Sequence, residues 1–269
     1  MSFYTGREQK FNSKYTKNKK KQDSPLVKIY NDVVMYSNKA FPKRTLPESI
    51  CYDIYDITLD TTELEEYNDT TIQVDNMDTL DMAILFRREG LNPLVLNMAS
   101  KFKPGGGVSK GATAQEEVIF RRTNACMTHP PEWYPLEDNE VIYSPQVHIF
   151  MDAGYKFMKE SDQSVVSMLA NHAIRRPNLY KGDFTNDDYD LTYSKIEAIF
   201  KIAIIHGHDS MVLGALGCGA YRNPPDEIVN IFKECLVKYK KYFKKIGFGI
   251  LVVKDSDNIN LTLFNELKS

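Results

Sequence analysis

The chain is poor in the features that build metal ribbons, redox centres and membrane spans. Its four cysteines, Cys51, Cys126, Cys218 and Cys235, stand far apart and form no CxxC pair, which argues against a zinc ribbon or a catalytic dithiol and fits reduced thiols in an intracellular protein. No apolar run approaches the length of a transmembrane helix. The opening residues lack an apolar core followed by a small-residue cleavage site, and they lack the Arg/Ser bias of an organellar presequence. A cytoplasmic or nuclear protein, not a secreted one and with no membrane partner, is therefore expected. An excess of charge is missing too: 34 Lys and Arg stand against 36 Asp and Glu, a net −2. No global field would capture a polyanion, so anionic ligands need a specific pocket, and nucleic acid is not expected as a partner beyond weak local contact. Internal repeats are absent. There is one tryptophan, Trp133 in PPEWYP, expected to anchor a surface loop.

What is present is a globular composition, 42% hydrophobic and 26% charged over 269 residues, enough for one substantial domain with an extension. Residues 1–24 are polar and basic, with Lys17, Lys19, Lys20 and Lys21 and interspersed Phe3, Tyr4, Phe11 and Tyr15. This segment is expected to be a solvated extension; the competing reading is an arm that touches an acidic polymer, since lysines with aromatics between them can follow phosphates and stack on bases. The domain proper is placed at residues 25–269.

Within it, strand and helix patterns follow one another. Residues 51–60 and 70–74 alternate apolar with polar side chains, as half-buried strands do, and 79–88 have helical spacing. Residues 93–98 (PLVLNM) read as a buried strand, 104–111 as a glycine-rich loop, and 114–126 as a helix. Strands are expected at 141–150, 165–170, 211–216 and 248–253, with helices at 191–206 and 225–243, the last opened by prolines. The order implies a layered α/β domain.

Two segments carry chemistry. The first is PGGGVSKGATAQEE, residues 104–117. Consecutive glycines after a buried strand allow positive φ and close backbone approach, as a main-chain cradle for a sugar or phosphate requires. Gln115, Glu116 and Glu117 then open the next helix. Adjacent carboxylates there favour the helix dipole by roughly 0.3–1 kcal/mol. Directly after a ligand-shaped loop, however, two like charges in a drier cleft raise one pKa and create a carboxylic acid able to donate a proton. The second segment is LGALGCGAYRNPP, residues 213–225, again a strand running into small residues and a proline-started helix. Its backbone N–H groups suit a diphosphate, and Tyr221 can lie against a ribose. Both loops sit at carboxyl ends of expected strands, where open α/β sheets place ligands.

GGG, a short spacer and QEE together resemble the mark of the microbial-type poly(ADP-ribose) glycohydrolases. The resemblance extends to residues 95–100 (VLNMAS), 142–150 (IYSPQVHIF), the helix ending AIIHGHD, the second loop and 248–253, while the first 70 residues look unlike the family's usual opening. Met98 stands where the family often has Phe, and Ala170-Asn171-His172 where it often has Ala-Pro-Asn. The resemblance implies a three-layer α/β macrodomain-like fold with a mixed central sheet flanked by helices, and hydrolysis of ribose–ribose O-glycosidic bonds in poly(ADP-ribose). It implies that Glu117 is the acid/base, that Glu116 holds ribose hydroxyls and that Gln115 supports the site. Gly105, Gly106, Gly107 and Val108 would lie along ribose and diphosphate. Gly217, Cys218, Gly219, Ala220 and Tyr221 would form the opposite phosphate wall, with Tyr221 ordering the terminal ribose and Asn97 a further ribose contact. Partners would be poly(ADP-ribose) and ADP-ribosylated proteins, with ADP-ribose as product; the chain itself is expected to be a monomer.

The chemistry agrees. Cleavage through an oxocarbenium-like state needs an acid at the leaving oxygen and a placed water, and no metal or cofactor. Two other readings remain: a non-catalytic ADP-ribose reader, which would have no use for the acid pair, and an enzyme removing single ADP-ribose units from other molecules. His206, His208 and Asp209 (HGHD) have metal-ligand residue types, but at a helix-to-strand junction capping or packing is expected. Cys218 has no basic neighbour in sequence and is expected to pack under its loop.

Overall fold

The computed structural model describes residues 24–42, 45–253 and 258–268; the lysine run of the extension lies outside them. In chain order the main elements are α1 (Pro25–Ala40), β1 (Ile50–Asp53), β2 (Thr71–Asp75), α2 (Thr79–Arg88), β3 (Pro93–Met98), α3 (Gln115–Arg122), α4 (Ala125–Thr128), β4 (Glu140–Ile149) and β5 (Ser164–Asn171). A two-stranded hairpin, β6 (Leu179–Tyr180) and β7 (Asp183–Phe184), precedes α5 (Asn186–Ile205), β8 (Ser210–Leu213), α6 (Pro225–Tyr239), β9 (Lys245–Gly249) and α7 (Asn258–Phe264).

The described residues form a seven-stranded sheet in the order β1-β4-β5-β3-β8-β9-β2. It is mixed: β1 and β5 run antiparallel to β4, while β5, β3, β8, β9 and β2 run parallel to one another. Helices cover both faces, so the central strands carry apolar side chains on both sides. On β3, Leu94 and Leu96 pack into the core shared with α5, α6 and α7, and Val95 packs into the core shared with α2 and α3. The three-layer α/β architecture expected from the sequence is thus observed. Burying each of the fully enclosed rings, among them Phe86, Phe120, Phe200 and Phe232, stabilises it by roughly 1.5–3 kcal/mol.

Several boundaries differ from expectation, each for a local reason. The strand expected over 51–60 stops at Asp53, whose Oδ1 accepts the Tyr55 N–H and whose carbonyl accepts the Asp56 N–H, closing a turn. The helix expected over 114–126 breaks after Arg122. Thr123 is extended (φ −139°, ψ 173°) and bridges Ile149, and its hydroxyl accepts the Ala125 N–H. Strands β8 and β9 end at Leu213 and Gly249, short of 216 and 253, and β9 begins earlier than expected, at Lys245, in register with Ser210 and Thr71. Helix α5 starts five residues early, at Asn186, and α6 gives way at Tyr239 to a short 3-10 turn.

Helix α1 was not foreseen from the pattern. Pro25 opens it where a missing N–H costs little, and it buries Val27 and Val33. Arg121, fully buried on α3, donates from Nε to the Leu26 carbonyl at 3.2 Å and from Nη2 to the Ala112 carbonyl. One side chain therefore fastens the start of α1 to the loop that precedes α3. Its neighbour Arg122, also fully buried, donates to Asp78 Oδ1 at 2.7 Å, to Asp81 and, from Nε, to the Met151 carbonyl. Asp78 in turn caps α2 through the Leu80 and Asp81 N–H groups. Burial pushes the Asp78 carboxyl up, and the Arg122 guanidinium opposes that push.

Removing the cation leaves Asp78 buried without a counter-charge. Arg122→Ala is expected to lower the unfolding free energy by roughly 3–5 kcal/mol in urea denaturation; a loss below about 1 kcal/mol, the worth of an exposed pair, would show that this bridge does not hold α2 to α3.

Candidate active site

The site grows out of the carboxyl end of β3. After Met98 the chain turns through Ser100 into residues 101–107, makes a 3-10 turn over Val108–Lys110, and enters α3 at Gln115. The first three side chains of α3 reach back and hold that loop by its main chain. Gln115 Oε1 accepts the Met98 N–H at 2.9 Å, while its Nε2 donates to the Leu96 carbonyl at 2.7 Å and to Thr79 Oγ1 at 3.1 Å. Glu116 accepts the Ser100 N–H at 2.8 Å on Oε2 and the Gly105 N–H at 3.1 Å on Oε1. Glu117 Oε1 accepts the Gly107 N–H at 2.7 Å. The other oxygen, Glu117 Oε2, is buried and has no hydrogen-bond partner.

Glycine is required between them. Gly106 has φ +49°, and a Cβ there would lie 2.6 Å from Glu117 Oε1 and 2.9 Å from Glu116 Oε2. The loop backbone therefore passes directly over both carboxyls, closer than any side chain permits.

The two glutamates differ in surroundings. Burial pushes the Glu116 carboxyl up to about 8, with the neighbouring Glu117 charge adding to it, against the opposing bonds from the Ser100 and Gly105 N–H groups and the Asn97 side chain. Desolvation wins over hydrogen bonding here. Asn97 is fully buried; its Nδ2 is 3.4 Å from His129 Nε2, and its Oδ1 has no partner. His129, held neutral by burial that brings it down to about 4, is fixed from the other side through Nδ1 on the Ala125 carbonyl at 3.1 Å.

Beside this cluster lies a cavity of about 320 Å³. Its lining includes Met98, Ala99 and Gln115, then Gly217, Gly219, Ala220 and Tyr221, and residues 249–251 with Val253. Five of the predicted contact residues thus face a common space. Glu116, Glu117 and the three loop glycines are not part of this lining; they close off its neighbourhood at the start of α3. Val108 is buried in the core beneath the loop. In the second loop Gly217 has φ +76°, and a Cβ there would strike Asn223 and Ala173 at 2.5–2.6 Å. Asn223 braces that loop from Nδ2 to the carbonyls of Ile174 and Gly217. Burial pushes the Cys218 thiol up to about 12, which removes it as a nucleophile and leaves it packing beneath the loop.

The remaining candidates lie elsewhere. His206 accepts or donates with Tyr52 at 2.9 Å; His208 meets Tyr143 and the Asn92 carbonyl, so both serve packing at the far edge of the sheet. Among the described residues no group of three His, Cys, Asp or Glu could hold a metal ion. Trp133 packs against the cluster of Ala99, Leu136, Ile142 and Ala170 and is not part of the cavity lining. Asn171 and His172, the departure from Ala-Pro-Asn, bond to the Lys195 and Glu137 carbonyls.

Comparison with known proteins now decides the family. The family model described as microbial-type PARG, catalytic domain, matches residues 12–152, more than half of the chain and all of the first loop and glutamate motif. The chain belongs to the microbial-type PARG family. The match begins within the basic extension, so the opening of the chain carries the family pattern, contrary to the expectation for its first 70 residues. Among solved structures, poly(ADP-ribose) glycohydrolase from Thermomonospora curvata is similar with a TM-score of 0.78 at 22% identity, covering 90% of this chain and 98% of that one. The same enzyme bound to the inhibitor ADP-HPD gives 0.75 at 22% over the same shares. The Deinococcus radiodurans glycohydrolase in complex with ADP-ribose gives 0.71 at 23%, covering 81% and 93%. These likenesses show the PARG macrodomain-like fold. No curated protein sequence matches the chain.

Sequence reasoning missed the cavity's third side, Asp78 and Thr79 at the start of α2 and Asn260 on α7, because no motif marks them. It also missed the braces His129 and Asn223. The Asn-Pro-Pro step opening α6 was a usable signal for the second.

Because the Glu116 carboxyl titrates higher in the folded protein than in the unfolded chain, its contribution to stability is fully present below about pH 4.5 and is lost as pH rises through about 8. Urea unfolding across that range is expected to show wild type losing stability relative to Glu116→Gln; a difference independent of pH would contradict the burial of this group.

Proposed function

We propose that this PARG-family chain hydrolyses the ribose–ribose O-glycosidic bonds of poly(ADP-ribose), with Glu117 as the general acid and base. The observation that carries the assignment is the division of labour between the two Glu117 oxygens. Oε1 is fixed by the Gly107 N–H, while Oε2 is buried and unpartnered. A buried carboxyl oxygen without a partner is costly, and a ligand hydroxyl or glycosidic oxygen in the loop would satisfy it.

The terminal ADP-ribose unit would enter between the two loops. The small residues Gly217, Gly219 and Ala220 let the diphosphate approach their main chain, Tyr221 lies against the terminal ribose, and the backbone of Gly105, Gly106, Gly107 and Val108 follows the sugar. Glu117 donates a proton to the leaving ribose oxygen as the C–O bond breaks and positive charge develops on the ring; the nearby phosphates stabilise that charge. The resulting carboxylate then takes a proton from the water that attacks the anomeric carbon, releasing ADP-ribose and restoring the acid.

Glu116 is a positioning residue first, since both of its oxygens already hold loop N–H groups. Retaining its proton up to about pH 8, it keeps a hydroxyl to offer the ribose hydroxyls. Asn97, set by His129, acts on the ribose side through Glu116. Natural partners would be poly(ADP-ribose) and ADP-ribosylated proteins inside the cell. Among the described residues no helix is long and apolar enough to cross a membrane.

Wild-type protein incubated with poly(ADP-ribose) is expected to release ADP-ribose. Glu117→Gln should release none while keeping ADP-ribose affinity within about tenfold, roughly 1.4 kcal/mol. Chromatography of the product with calorimetric titration of ADP-ribose reads both. Binding without release by either protein would favour a reader.

A further inference from the structure

The first loop carries an aromatic ring that the cavity does not use. Phe102, three residues before Gly105, is 55% exposed, and its N–H is held at 3.2 Å by Ser100 Oγ. Facing it is Arg175, on the segment that leaves β5, with its guanidinium carbon 5.8 Å from the ring centroid. The next residue, Arg176, is in the left-handed region at φ 57°, and its N–H donates to the Tyr221 carbonyl at 2.8 Å. That bond pins the arginine segment to the second loop. Arg222, following Tyr221, is also left-handed at φ 62°. All three arginines are exposed, and among the described residues none has a carboxylate within ion-pair distance.

A protein with a net charge of −2 thus leaves three cations unneutralised on segments that flank its cleft, one of them over an aromatic ring that is more than half exposed. Two of those cations sit on backbone that costs about 1 kcal/mol or more to hold without glycine. Exposed aromatics with adjacent arginine are the ingredients of a base-stacking and phosphate-binding platform. We propose that Phe102, Arg175, Arg176 and Arg222 form a rim subsite for the adjoining unit of the polymer, the one that stays behind when the terminal unit is cut. The inference rests on the reading of the chain as a poly(ADP-ribose) hydrolase. In such a polymer the adjoining unit leaves the cleft at the scissile bond, beside the loop of residues 105–107, and it carries a purine and a diphosphate. The purine stacks on Phe102, and the arginines meet the diphosphate, whose negative charge their own lack of partners complements.

Phe102→Ala and Arg175→Ala, measured on long-chain poly(ADP-ribose), are expected to raise KM roughly five- to tenfold at unchanged kcat. Their affinity for free ADP-ribose, read by calorimetric titration, should stay at the wild-type value. Phe102→Trp should restore KM, and Arg175→Ala should flatten the dependence of KM on salt. An unchanged KM in both alanine variants would overturn the subsite. So would a parallel loss of ADP-ribose affinity, which would make the pair a staple between the two loops. If wild type released no ADP-ribose, the hydrolase reading would fail by itself. Filter retention of labelled polymer would still decide the rim: weaker retention by the variants upholds it, and equal retention overturns it.

Discussion

The hydrogen bonds from loop backbone to the α3 carboxyls are what the rest of the site depends on. A glycine-rich loop gains little from its own side chains and pays the largest conformational entropy on ordering. Here the Ser100, Gly105 and Gly107 N–H groups are each taken by a glutamate oxygen, and the Met98 N–H by Gln115. In the function proposed above, the same three side chains that order the loop also serve the ligand. Ordering and chemistry cannot be separated in this arrangement, which accounts for three glycines and three polar side chains occurring as one unit.

The fold supplies rigidity behind that unit. Strands β3, β5 and β8 run parallel with their carboxyl ends together, so the loops that follow β3 and β8 face each other without any long excursion. Arg121 fastens the outer side of the first loop to α1, and Arg122 fastens α3 to the α2 cap. Two fully buried arginines in adjacent positions are costly unless every donor has a destination. Their partners are the Leu26, Ala112 and Met151 carbonyls with Asp78 and Asp81, and Arg121 Nη1 alone of the Arg121 nitrogens is buried without one, so their cost is set against holding the loop's frame in place. Glu117 Oε2 and Asn97 Oδ1 are among the buried polar atoms that this frame leaves without a partner.

Much of this was legible in the sequence, for identifiable reasons. The bounds of β3 and α2 came out as read, because an unbroken apolar run closed by a polar turn and a helix capped by Asp78 are local signals. The glycine–glutamate segment was read as a loop followed by carboxylates at a helix start, and that local geometry is what the structure has. The end of α3 did not show, since Thr123 leaves the helix to bridge Ile149, a contact made far along the chain. Helix α1 was missed although Val27, Tyr30 and Val33 recur at helical spacing, because it directly follows the basic extension and Arg121 supplies its anchor from outside. Which glutamate is pushed up in pKa was also beyond sequence reasoning. Adjacency predicts a shift, but at Glu116 the largest cause is burial, which is set by the whole fold.

The most direct test of the account is Gly106→Ala. The added methyl group would press on the oxygens of Glu116 and Glu117 together and touch nothing else within 3.5 Å. Turnover of poly(ADP-ribose) should fall by roughly a hundredfold or more, the scale expected for a small misplacement of a catalytic group, while the protein remains folded by circular dichroism. Wild-type turnover by the folded variant would contradict the claim that the close passage of this loop over the two carboxyls sets the catalytic geometry.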